Sequence, residues 1–405
     1  MIKNLAKVLS STVKSTRIIY VSSYIPRQCG IATYTKNLTN AVNLLNPYHL
    51  AEIVAVNRGQ ESLVYPAEVK FVLNHQKRHD YLKAAEFINH SGADLVSLQH
   101  EFGLFGGRSG DYLLPFIEAL ALPFVTTIHS LPDDPQSSQG QILNQIIAKS
   151  KAVTVMINQS RQKLVKDYGI PAQKIVVIPH GIPDLAYSST EWYKRKKKLA
   201  KRLILGNINL ITQSKGIEYC LQAVATIKKH IPQVLYLVIG KTHPVILEQQ
   251  GEIYRQSLKK IIKQLGIKNN VKFINQYLSL DELILWLQTI DVYVTPYLSP
   301  QQSASGALSY ALGAGKFCVA TPYLYAKEVL SHNRGTLVPF RNSQAIAQKV
   351  IYYWQNPKQR QVIEKNAYGY GRLMTWPNVA LQYLNLFKLI INQKIKIVFK
   401  GYNER

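Results

Sequence analysis

Three cysteines in 405 residues, Cys29, Cys220 and Cys318, are odd in number and far apart, which excludes a disulfide framework. No Cys-x-x-Cys pair or Cys/His cluster has zinc-like spacing, so a reducing compartment and no structural metal are expected. Acidic residues are scarce: 23 Asp and Glu stand against 49 Lys and Arg, a net charge of +26. Such a balance implies attraction to something anionic, whether nucleic acid, anionic lipid or a phosphorylated ligand. Long hydrophobic runs are also wanting. Lys3 and Lys7 interrupt the stretch Met1–Ser10, so no signal peptide is expected. The uncharged run Val292–Gly315 contains Pro296, Pro300, Gln301, Gln302 and several serines, and reads as strand, loop and helix instead of a membrane span. With 22 Gly, 18 Pro and 47% hydrophobic residues, collagen-like, low-complexity and wholly disordered chains are excluded.

What is present is an alternation of strand and helix, the pattern of a parallel sheet covered on both faces. Short β-branched runs at 17–22, 52–56, 69–73, 94–98, 123–128, 152–157 and 174–178 alternate with amphipathic stretches at 34–45, 79–89, 111–121 and 139–149. A second series has strands at 203–212, 234–239, 271–275, 291–295, 316–320 and 336–339, with helices at 217–230, 246–265 and 281–289. The expected division is an N-terminal α/β domain at 1–183, a basic linker at 184–202, a C-terminal α/β domain at 203–375, and a helix and tail at 376–405 crossing back to the first domain. In doubly wound sheets ligands bind at the carboxyl ends of the strands, so the site is expected between the two lobes.

Neither common nucleotide fingerprint is present. No GxGxxG follows a strand, and Leu235 stands where a P-loop ending at Gly240-Lys241-Thr242 needs its first glycine. Other loops must hold any phosphate. The first candidate is Tyr24–Thr33, where Gly30 and Ile31 open a helix whose free N–H groups attract an anion. The second is Gln213-Ser214-Lys215-Gly216, which sets a lysine beside a helix start. The third is Gln302–Gly315, where the amides of Ser305, Gly306 and Ala307 can cradle phosphate. Two histidines end strands of the first domain, His100 beside Glu101 and His129 after Thr126-Thr127-Ile128. A neutral imidazole can donate to a sugar hydroxyl or accept a proton, and Glu101 can serve as base or acceptor.

These segments resemble the retaining glycosyltransferases of family 4, with the GT-B fold. More narrowly, they look like a bacterial subgroup marked by PRxCGIAT, QHEFGxFGG, TTxH, VIPHG and TPYL…SGxLxYALGxGK. Here those motifs fall at Pro26–Thr33, Gln99–Gly107, Thr126–His129, Val177–Gly181 and Thr295–Lys316. The resemblance implies two Rossmann-like domains facing each other across a cleft, and transfer of a sugar from a nucleotide-diphosphate donor to a hydroxyl acceptor. It further implies retention at the anomeric carbon, no bound metal and no cofactor beyond the donor. By position, Lys215 and Gly216 would hold the diphosphate with Ser305, Gly306 and Ala307, and Tyr277 and Leu278 would lie near the base. His129 would contact the transferred sugar, and Gly30 would face the donor phosphates.

The chain departs from the wider family at four positions. Gln302 and Tyr310 stand where that family has two glutamates eight residues apart, which implies altered sugar recognition; Asn209 and Leu210 replace a usual glycine and arginine. The partners expected are a nucleotide sugar and a saccharide or lipid-linked acceptor, with no specific nucleic acid, and the location expected is cytoplasmic. For the basic cluster Lys194, Arg195, Lys196, Lys197, Lys198, Lys201 and Arg202 a solvated linker face is preferred. Peripheral contact with an anionic membrane at the inner face of the plasma membrane is its alternative. Two other functions stay open at this point: a sugar-nucleotide epimerase or hydrolase on the same fold, and a non-catalytic polyanion-binding protein.

Overall fold

A computed structural model describes residues 15–59 and 62–392, so the readings of Met1–Ser10 and of the tail beyond Asn392 lie outside the described residues. The chain divides into two compact units. One holds the residues up to Pro179 together with the segment from Trp376; the other holds His180–Thr375.

In the first unit, seven strands form one parallel sheet: β1 (Ile18–Ser22), β2 (Glu52–Asn57), β3 (Val69–Asn74), β4 (Leu95–His100), β5 (Phe124–Ile128), β6 (Ala152–Val155) and β7 (Ile175–Val177). Their order is β3-β2-β1-β4-β5-β6-β7. All five residues of β1 and all six of β4 are buried, as a strand covered by helices on both faces requires, while in the edge strand β3 only Leu73 is buried. The core gathers Val21, Val54, Val96 and Leu98 beneath Tyr81, Phe116 and Ile146. The helix Trp376–Ile391 belongs to this unit, where the Tyr383 hydroxyl meets that of Tyr34 at 3.0 Å.

The second unit has six parallel strands, β8 (Leu203–Ile208), β9 (Val234–Ile239), β10 (Val271–Ile274), β11 (Val292–Thr295), β12 (Phe317–Ala320) and β13 (Thr336–Leu337), in the order β10-β9-β8-β11-β12-β13. Its core is built on Leu205, Tyr236, Val238, Val294 and Val319, capped by Leu221, Val224 and Ile346. Both units are doubly wound. Strand order reverses at β1/β4 in one and at β8/β11 in the other, and loops leaving such adjacent strands diverge to opposite faces and open a crevice at the strand ends.

Several expectations are corrected in detail. The strand expected over 203–212 ends at Ile208, because the chain must leave the ladder to form the turn Gln213–Lys215. The single helix expected at 246–265 is two, Pro244–Gln250 and Ile253–Gln264, separated at Gly251 by a left-handed φ of +62°. The run Val292–Gly315 is β11, a loop and the helix Gly306–Gly313, and among the described residues no helix is long and apolar enough to cross a membrane.

The segment read as a solvated basic linker carries the helix Thr190–Lys196, packed within the second unit. Lys194 is not solvated: its ammonium lies 2.8 Å from Asp291 Oδ2, with side-chain exposures of 2% and 9%. Asp291 also accepts from the Ile204 amide and from the Thr190 hydroxyl, each at 2.8 Å, so the carboxylate ties this helix to the start of β8. Arg202 is spent on the carbonyls of Gln233, Val234 and Asn269. Lys197 lies 4.2 Å over the Trp286 ring, so charge density along the chain overstates the surface cluster: three of its members have partners distant in sequence.

Candidate active site

At the β8/β11 reversal, the turn Gln213–Lys215 ends in Gly216, whose φ of +62° opens the helix Ile217–His230. A Cβ on Gly216 would stand 2.1 Å from the Pro296 carbonyl, so only glycine lets this loop press against the one after β11. The Leu298 amide donates to the Ser214 carbonyl at 2.9 Å and locks the two loops together.

Lys215 is thereby laid over an aromatic face: its Nζ is 4.0 Å from the centroid of the Tyr297 ring. Among the described residues its ammonium has neither a hydrogen-bond acceptor nor a carboxylate. Burial without a counter-charge pushes its pKa down to about 8. The Tyr297 hydroxyl donates to Asn209 Oδ1 at 2.6 Å and also bonds Ser305, and its ring stacks on Tyr323 at 5.1 Å. Tyr297 therefore joins Lys215 and Gly216 to Ser305. Asn209 fixes the ring that carries the lysine.

Ser305 caps the helix Gly306–Gly313, its Oγ accepting from the Leu308 amide at 3.3 Å. The Gly306 and Ala307 amides have no acceptor among the described residues. His180 stands against this helix start. Its Nδ1–H donates to the Gly181 carbonyl at 2.7 Å, and its Nε2 is 2.8 Å from where a Cβ on Gly306 would lie. Burial pushes the His180 pKa down to about 4, so the ring is neutral near neutral pH. Tyr310 meets it edge-on at 6.1 Å, and the Gln302 side chain is held within its own loop by the Ala304 carbonyl at 3.0 Å. Tyr277 and Leu278 are half-buried between β10 and the helix Leu280–Thr289; their strand is separated from β8 by β9.

In the first unit Gly30 and Ile31 open the helix Gly30–Leu45, with Cys29 Sγ accepting from the Ala32 amide at 3.4 Å. Among the described residues nothing lies within 4 Å of a Cβ on Gly30, and the Gly30 and Ile31 amides have no acceptor. Glu101 leaves β4 and accepts from the Ser130 hydroxyl at 2.5 Å and the Phe102 amide at 3.1 Å, while burial raises its pKa. His129 follows β5 and is bound to Gln99 Oε1 at 2.9 Å.

His100, a candidate from its place at a strand end, is enclosed instead of open to a ligand. Its ring is 1% exposed, edge-on to Phe102 at 4.7 Å and stacked on Phe105 at 6.1 Å, with Nδ1 unpartnered and its pKa pushed down to about 4 by burial. The following Phe102 and Phe105 close over the side chain at the end of β4. The residues that reading motifs alone missed are Tyr297 and His180, while Asn209 was singled out without its bond to Tyr297. Tyr297 and His180 were legible as parts of TPYL and VIPHG, but their contacts were not.

Two family models match the chain in succession: "Glycosyltransferase Family 4" over residues 30–184 and "Glycosyl transferases group 1" over residues 188–370. The chain is a member of the glycosyltransferases. No curated protein matches this glycosyltransferase by sequence. Among solved structures it is similar to a glycosyltransferase from Rickettsia africae, at 19% identity and TM-score 0.73, covering 94% of this chain and 100% of that one. It is also similar to HepE from Anabaena, solved in complex with UDP-glucose, at 16% identity and TM-score 0.71, covering 92% and 99%. Sucrose-phosphate synthase from Thermosynechococcus elongatus gives 16% identity and TM-score 0.74, covering 94% and 100%. At these identities the likeness establishes a common fold of two Rossmann-like parallel-sheet domains.

Proposed function

We propose that this glycosyltransferase moves a sugar from a nucleoside-diphosphate sugar to a hydroxyl of a saccharide or lipid-linked acceptor, with retention at the anomeric carbon and without a metal ion. The observation that carries the reading is Lys215: an ammonium with no counter-charge among the described residues, in the loop after β8 and linked through Tyr297 and Ser305 to a helix start whose Gly306 and Ala307 amides have no acceptor among those residues. A diphosphate is the ligand such a group lacks. Bond cleavage at the anomeric carbon leaves negative charge on the departing phosphate, and a preorganised cation with backbone dipoles stabilises that charge as it develops.

In this reading Lys215, Gly216, Ser305, Gly306 and Ala307 bind the diphosphate, with Gln302 near the sugar and Tyr277 and Leu278 toward the base. Gly30 and Ile31 offer amides to the donor, His129 meets the transferred sugar, and Glu101 serves the acceptor hydroxyl. His100 enters as a packing residue because of its enclosure by Phe102 and Phe105. HepE supports a UDP-sugar as the first donor to try. A cytoplasmic location is part of the same reading, tested by cell fractionation.

The deciding experiment incubates the protein with UDP-glucose and a panel of other nucleotide sugars, with and without saccharide and lipid-linked acceptors and with EDTA throughout. A glycosylated product whose anomeric configuration by NMR equals the donor's is the expected result. An epimerised or merely hydrolysed donor in the presence of every acceptor would overturn it.

A further inference from the structure

His129 sits in a closed ring of buried polar groups. Its Nε2 is 2.9 Å from Gln99 Oε1, and Gln99 Nε2 donates to Thr127 Oγ1 at 3.4 Å and Ser97 Oγ at 3.3 Å. Thr127 Oγ1 is 3.1 Å from the Tyr383 hydroxyl, which is 3.0 Å from that of Tyr34. The Tyr34 ring returns to His129, edge-on at 4.9 Å and 90°. Thr154 braces the circuit, donating to Thr127 at 2.9 Å and meeting Tyr383 at 3.2 Å. Three strands and two helices contribute, and Gln99, Thr127, Thr154 and Tyr383 have no solvent exposure at all.

Packing does not explain this choice of residues. Buried amides and hydroxyls are costly unless bonded, and aliphatic side chains like those along the rest of β4 and β5 would fill the same space. What the circuit supplies is direction. The amide of Gln99 is oriented by the two hydroxyl oxygens that its NH2 feeds, so its Oε1 faces His129 and can only accept. The histidine proton is thereby held on Nε2 and the ring lone pair on Nδ1.

We propose that Gln99 and Tyr383 are positioning residues that hold His129 in one rotamer and one tautomer, protonated on Nε2. The proposal rests on the reading above that His129 meets the transferred sugar. Tyr383 acts at one remove, through Thr127 and through Tyr34. A glycosyltransferase needs this because a ring free to turn over would present a donor or an acceptor to the sugar in unequal alternation, and misplacement of a contacting group is expensive in rate.

The test is long-range 1H–15N NMR of histidine-labelled protein without ligand, together with steady-state hydrolysis of UDP-glucose. The spectrum of His129→Ala identifies the His129 signals. In the wild type they should show the Nε2–H tautomer. Gln99→Met and Tyr383→Phe should mix the tautomers and slow hydrolysis roughly tenfold or more with KM for UDP-glucose little changed. Gln99→Glu, which restores an acceptor, should recover the tautomer. A wild-type His129 that is not Nε2–H, or a Gln99→Met protein that keeps the tautomer, overturns the proposal. If Gln99→Met does not fold, Tyr383→Phe decides by the same signals. Unchanged hydrolysis in His129→Ala would instead remove the role assigned to His129, and the tautomer measurement separates that failure from this one.

Discussion

The ammonium of Lys215 lies 4.0 Å over the ring of Tyr297, whose hydroxyl is in turn bound to Asn209 at 2.6 Å. The face of an aromatic ring offers a cation partial compensation without using up its hydrogen-bonding capacity. The lysine is thus aimed while its donors stay available to an anion. The arrangement makes this lysine the strongest single lever on the proposed chemistry.

Replacing Lys215 with Ala is expected to remove on the order of 3 kcal/mol of transition-state stabilisation, roughly a hundredfold in rate, as for loss of one preorganised donor. The measurement is kcat/KM with whichever nucleotide sugar the donor panel identifies. Turnover near the wild-type value would take Lys215 out of the mechanism.

Affinity for UDP should depend on pH with a defined sign. The cationic form of Lys215 binds the diphosphate and its pKa in the free protein is pushed down to about 8, so affinity should hold below that pH and fall above it. Calorimetric titration with UDP across that range checks the slope. Lys215→Arg, whose guanidinium stays charged to about pH 12, should flatten it.

Acid stability is set in part by His100 and His180, both neutral in the fold with pKa values pushed down to about 4. An unfolded histidine takes a proton near pH 6.5, so between those limits acid favours the unfolded chain. Stability is full above the higher limit and falls as pH drops toward the lower one, each ring contributing on the order of 3 kcal/mol. Urea midpoints at pH 7 and pH 5 measure the loss, and His100→Phe should reduce it without affecting UDP binding. An equal loss in that variant would show that His100 titrates normally.

Lys194→Met strips a buried carboxylate of its cation and should cost about 3–5 kcal/mol. Arg195→Gln, one residue along and exposed, should stay within about 0.5 kcal/mol. Equal effects on the thermal midpoint would contradict the placement of Lys194 in the interior.

Much of this protein was determined by local chemistry and could be read in one dimension. Buried parallel strands write themselves as short β-branched runs and amphipathic helices as 3.6-residue periodicity, which is why β9 and the helix Ile217–His230 fall at their expected bounds. The loops around Gly30, Lys215 and Ser305 were legible too, because helix starts after strands need small or capping residues whatever lies beyond them. Contacts between residues far apart in the chain were not. Lys194 looks like any surface lysine until Asp291 is brought beneath it, and His100 looks like a strand-end ligand until Phe102 and Phe105 fold over it. The pairings of Tyr297 with Lys215 and of Tyr383 with Thr127 exist only once the sheets order their strands. Burial and partnership are properties of the closed volume, since the free energy of a charge or a hydroxyl depends on what surrounds it in space, and tertiary structure alone decides that.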